Sequence, residues 1–260
     1  MQRILSFINN VWPSYLIPMS LIMAWFLVIS GLPAYLNLQL ASWLTFIALL
    51  ITPGYFLAGL ITWHMRLDWL ERLALALPLG LAALAVPGVV MLLLHLTITE
   101  LAAGWMLTTT LILIAGLLHH LWLRKRSGLF AGEAYQHQFT PWTVDEIILL
   151  LLMLGAFILT VPTLSLYKID GDAYAVGSFA ADALAGLPLN ATEPLFGTNL
   201  GPGVRMVFNQ SLPMLYLWAY LAGAGPITLT ATASRAVFAL WAILASYTLG
   251  KAAHSWPYYS

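Results

Sequence analysis

Leu73–Leu96 reads LALALPLGLAALAVPGVVMLLLHL, without one Asp, Glu, Lys or Arg. A helix needs about 20 mostly apolar residues to cross a bilayer, and this run supplies them. Working outward, runs of the same kind lie at Tyr15–Leu32, Leu40–Ile61, Ala102–Leu123, Ile147–Leu166 and Thr228–Gly250. A weaker one, Leu212–Ala224, has about a dozen residues, short of the usual span, and reads as tilted or partly re-entrant.

The whole chain agrees with these runs. Of 260 residues, 61% are hydrophobic and 8% charged, where a soluble domain carries about 25% charged residues. A water-facing surface of this size could not be built from so few polar groups, so the solvent is lipid. The expected fold class is all-α: a polytopic transmembrane helix bundle of about seven spanning helices. Ten basic residues balance ten acidic ones, so there is no basic excess of the kind that marks a nucleic-acid partner. The absence of Cys excludes disulfides, thiolate metal sites and Cys nucleophiles. Tyr15–Leu32 is long for a signal-peptide core and lacks a clear Ala-x-Ala site, so it reads as a retained helix that also serves as the targeting signal.

Loop charge orients the bundle. Gly31–Asn37 and Thr97–Leu101 contain no Lys or Arg, whereas the opposite side receives Arg3, Arg66, Arg72, Arg124, Lys125 and Arg126. Short loops rich in Lys and Arg stay cytoplasmic. The expected localisation is a cell membrane, multi-pass, with a cytoplasmic N-terminus. Residues 1–126 form a leading four-helix module, 127–146 a cytoplasmic linker, and 147–260 a second helical part with a long external loop at 167–211.

That loop holds the densest polar set. It runs Tyr167-Lys168-Ile169-Asp170-Gly171-Asp172-Ala173-Tyr174, and Ala173–Leu187 then has helical composition, with Val176, Ala180, Ala183 and Leu187 at three- to four-residue spacing. An amphipathic surface helix is expected there. Asp170 falls at its N-cap and Asp172 in its first turn, where carboxylates ordinarily satisfy free backbone N–H groups. The alternative role is catalytic. Asp182, ten residues on from Asp172, turns away from it.

After the spanning helix, Asp170-Gly171-Asp172-Ala173-Tyr174 and the surface helix comes Leu212-Pro213-Met214-Leu215-Tyr216-Leu217-Trp218-Ala219-Tyr220, then Ser234-Arg235-Ala236-Val237 and Tyr247-Thr248-Leu249-Gly250-Lys251. This order resembles the N-terminal part of integral-membrane glycosyltransferases of the GT-C fold. Ile51-Thr52-Pro53-Gly54-Tyr55 and Glu71-Arg72-Leu73-Ala74-Leu75 also look like the leading helices of some bacterial members. The resemblance covers about half the chain. It implies a polyprenyl-phosphate sugar, or an oligosaccharide on a lipid pyrophosphate, as donor, and an external aspartate, Asp172 with Asp170 beside it, that acts as general base or helps hold a metal. On the second role the cofactor is a divalent metal at Asp172, beside membrane lipids. Lys168, Arg205 and Arg235 are the cations for the lipid phosphate; as plain loop charges, Lys168 and Arg205 would meet lipid phosphate incidentally. The family's full members carry more spanning helices, so a fragment or a shortened relative is expected.

The histidines read as interfacial residues. His95 ends one run at the external side and His119 and His120 end the next at the other, separated by most of the bilayer. His64 and His119 share a side and are the one pair that could hold a haem iron, but they lie near Trp63 and Trp122, in the position of an aromatic belt. Asn190-Ala191-Thr192 and Asn209-Gln210-Ser211 match glycosylation acceptors, which are frequent by chance. The partners expected are membrane lipids, a polyprenyl-phosphate sugar, or other membrane subunits, since a non-catalytic subunit of a respiratory or photosynthetic complex is the second functional reading. A transporter has one candidate buried charge, Arg235.

Overall fold

The computed structural model describes residues 16–62, 67, 69–94, 96–127, 144–165, 184–186, 212–223 and 239–251. Among these the regular structure is helical throughout, with no strand. Helix α1 is Ile17–Ile29, followed by a 3-10 turn at Leu32–Tyr35. A continuous rod comes next: α2 at Leu38–Phe46, a π-helical turn at Ile47–Ile51, and α3 at Thr52–Ile61. Then follow α4 at Trp69–Leu93, α5 at Ile98–Ser127, α6 at Val144–Ser165, α7 at Leu212–Leu221, and α8 at residues 239–251.

Among the described residues, three helices are long and apolar enough to cross a membrane: Leu40–Ile61, Trp69–Val90 and Ile98–His119. The protein is membrane-embedded. The first span is the centre of the bundle, two thirds buried against under a third for Ile98–His119. Asn37 opens the central rod, its side chain accepting the Leu40 amide at 2.9 Å.

Lipid is as apolar as Leu, so helices in a bilayer associate through close packing and hydrogen bonds rather than hydrophobic burial. Both devices are present. Gly54 on α3 faces the backbone of Ala76 and Gly80 on α4, and Gly80 faces Leu50; a Cβ at Gly54 would lie 2.6 Å from the Ala76 carbonyl carbon and 2.7 Å from the Gly80 nitrogen. The two backbones meet because neither glycine has a side chain. Rising numbers on one helix oppose falling numbers on the other, so the pair is antiparallel. On the other flank Trp105 meets Leu49 and Gly116 meets Phe56, so α5 runs parallel to the rod.

The hydrogen bonds answer the prolines. In an α-helix residue i donates to the carbonyl of residue i−4, and Pro has no N–H. Pro53 therefore leaves the Leu49 carbonyl without that donor, and the Trp105 indole donates to it at 3.1 Å. Pro78 does the same to Ala74, whose carbonyl accepts the Trp241 indole at 3.2 Å. The π turn sits just before Pro53, where the regular ladder is already broken. The Thr52 hydroxyl lies 3.0 Å from the Ile47 carbonyl and 3.1 Å from the Leu21 carbonyl on α1, one proton between two acceptors.

The weak run at 212–224 is resolved by contacts. The described part of α7 is 10 residues, about 15 Å, half of a roughly 30 Å hydrocarbon core. Trp218 donates to the Ser42 carbonyl at 2.7 Å and packs on Phe46 at 5.2 Å between ring centroids. Gly223, at φ 88, lies against Ala34 in the 3-10 turn. Helix α7 is thus antiparallel to α2, and its C-terminal end reaches the end of the bundle where the 3-10 turn lies. Helix α8 runs the other way. Leu244 packs with Leu70, Ala74 and Leu149, and Tyr247 lies beside Asp145. The beginnings of α4 and α6 and the end of α8 therefore gather at the opposite end.

Candidate functional site

Every expected site residue lies outside the described residues, Lys168, Asp170, Asp172, Arg205 and Arg235, as do Asp182 and all of 173–187 except 184–186. Three residues of the stretch expected to form the surface helix are described. Leu184 is helical, and Ala185 and Gly186 turn, with Gly186 at φ 87. A left-handed glycine just past a helical residue is a common terminator; Ala173 to Ala183 and Leu187, the rest of the expected helix on either side, lie outside the described residues.

The helices on either side of the loop are described. Helix α6 leads into it, ending at Ser165, and α7 leads out of it. Leu217, Trp218 and Ala219 of α7 are all buried, and α7 packs against α2 and α5. The Pro-led aromatic segment quoted from the sequence is therefore part of the bundle core. Thr97 and Glu100 share the 3-10-turn end of the bundle with it. The Glu100 carboxylate accepts the Thr97 amide at 2.7 Å and the Thr97 hydroxyl at 2.8 Å, closing the first turn of α5. Thr99, 2.8 Å from Thr97, then donates to a hydroxyl whose own proton is spent.

No protein-family model, curated protein or solved structure matches the chain.

Beyond the loop, buried polar atoms stand out. Ser42 Oγ, Thr45 Oγ1 and Thr109 Oγ1 have no hydrogen-bond partner among the described residues, and all three residues are almost fully buried. Thr108 and Thr110, on either side of Thr109, give their protons to the Gly104 and Met106 carbonyls. Sequence reasoning passed over these hydroxyls, because Ser and Thr in an apolar run normally return their proton to their own helix. No group of three or more His, Asp or Glu is placed to hold a metal among the described residues. His119 stacks on Trp122 at 6.1 Å between ring centroids, which suits an interfacial histidine. His64 and His95 lie outside the described residues.

Proposed function

We propose that the chain belongs to a membrane glycosyltransferase of the GT-C type that takes sugar from a polyprenyl-phosphate donor, with Asp172 as general base. The observation that carries the reading is the order of elements: α6, then Asp170-Gly171-Asp172-Ala173-Tyr174, then the Pro-led aromatic helix α7 seated in the core. The acceptor hydroxyl gives its proton to Asp172 as it attacks the anomeric carbon, and the lipid phosphate departs toward Lys168, Arg205 and Arg235. A divalent metal at Asp172 would supply further charge to the leaving phosphate.

The topology that goes with this reading has six crossings and one half-helix. In that topology α7 enters and leaves at one end, and the last crossing, ending in α8, brings Lys251 to the end that holds Arg72. Lys251 then joins the cytoplasmic basic set, and the loop 167–211 faces the external side, as the positive-inside rule requires.

A second reading, a non-catalytic subunit, draws on the broad apolar face of α6, where Ile147, Leu150, Leu151, Leu154 and Ile158 are exposed. One experiment separates the two. The protein, purified in mild detergent, is assayed for transfer from a polyprenyl-phosphate sugar, alongside Asp172→Asn. The enzyme reading expects turnover that drops about 10²–10⁴-fold in the variant, with folding kept because Asn also caps helices. Stoichiometric recovery with a larger complex and no turnover would establish the subunit instead.

A further inference from the structure

At the end of the bundle away from the proposed transfer site, α6 and α8 enclose an open groove of about 630 Å³. The size is that of a small-molecule site. The groove extends from Asp145 to Leu152 along α6, about 10 Å, or two thirds of one leaflet. Its walls are Ile148, Leu152 and Ile243, and its mouth holds Asp145, Ser246 and Tyr247.

The mouth is selective in its hydrogen-bonding sense. Asp145 opens α6 and its ionised carboxylate only accepts. The Ser246 hydroxyl already donates to the Ala242 carbonyl at 2.8 Å, so its remaining capacity toward the groove is its lone pairs. Two acceptors, one of them charged, thus stand at the polar end of an apolar slot, with a phenol ring beside them in the place amphipathic aromatics take at an interface. An anionic headgroup would face Asp145 with like charge. A quaternary ammonium has no N–H to give. A primary ammonium has three donors and the right sign.

We infer that this groove is a binding site for a phospholipid whose headgroup ends in a primary ammonium, the phosphatidylethanolamine class, with an acyl chain along Ile148, Leu152 and Ile243 and the ammonium on Asp145 and Ser246. The site does not depend on the transferase reading, since it shares no residue with the external loop.

The test uses the whole chain, purified and delipidated in neutral detergent, and titrated with dioleoyl phosphatidylethanolamine, phosphatidylcholine or phosphatidylglycerol while bound lipid per protein is counted by native mass spectrometry. The ethanolamine lipid binds about tenfold more tightly than the other two, the ratio expected for one charge-assisted hydrogen bond. Asp145→Asn removes that preference. Leu152→Trp fills the slot and lowers retention of all three lipids. Glu100→Gln, at the other end of the bundle, changes nothing. Equal binding of the choline lipid, or a preference that survives Asp145→Asn, overturns the proposal, and so does a lipid-free dimer that Leu152→Trp converts to monomer. Asp145 is exposed, so its variant folds and the test stands even where Leu152→Trp does not express.

Discussion

Trp105 and Trp241 do the same job at two prolines. Each indole fills a carbonyl that the proline four residues further along cannot serve, at Leu49 and at Ala74. An unmet carbonyl in hydrocarbon is costly, and hydrogen bonds between membrane helices average below 1 kcal/mol with a maximum near 2. Trp105→Phe keeps most of the ring and loses the donor, so it should destabilise the protein by about 1 kcal/mol in a denaturation titration. Adding Pro53→Ala returns an N–H to the helix and should recover part of that loss. A double mutant no better than the sum of its parts would show that the two residues are not coupled. Thr109 makes the opposite case. Its hydroxyl is buried and unpartnered among the described residues, so Thr109→Val should leave stability unchanged or raise it by about 1 kcal/mol. A clear loss would reveal a partner for that oxygen.

At the scale of elements, the contact between α3 and α4 rests on two glycines. A Cβ at Gly80 would lie 2.8 Å from the Leu50 carbonyl carbon, backbone that cannot step aside unless the helices part. Gly80→Ala should cost about 3 kcal/mol, the upper range for overpacking. Gly59 has nothing within 4 Å of its Cβ direction, so Gly59→Ala should be neutral or gain up to about 1 kcal/mol of helix propensity. Thermal melting of the two variants in detergent checks both, and equal melting would remove the glycine contact from the description. The sequence carried the existence of these helices plainly, because a run such as Leu73–Leu96 has few other solutions. It did not carry their pairing. Nothing local ties Gly54 to Gly80 or Leu49 to Trp105, and Pro53 announces a break in the ladder without saying that the break takes π form.

At the scale of the whole molecule, the number of crossings turns on one short run, Leu212–Ala224. Counting each apolar run as a crossing makes Leu212–Ala224 a full span and sends Lys251 to the same side as the loop 167–211. The contacts of Trp218 with Ser42 and of Gly223 with Ala34 set α7 antiparallel to α2, with its C-terminal end at the 3-10 turn. Length alone had marked this run as short, but direction depends on contacts with α2, far away in sequence. The candidate site was legible only as composition and a resemblance, since Asp170 and Asp172 carry the residue types of a helix cap as well as those of a base. The most direct measurement is cysteine labelling from each side of the membrane, in a chain with no native Cys. The single variants Arg126→Cys, Lys251→Cys and Thr192→Cys are each exposed to an impermeant thiol reagent in sealed, oriented vesicles. Six crossings with a half-helix predict that Arg126→Cys and Lys251→Cys react from one side and Thr192→Cys from the other. Labelling of Lys251→Cys from the same side as Thr192→Cys would contradict it and restore a seventh crossing.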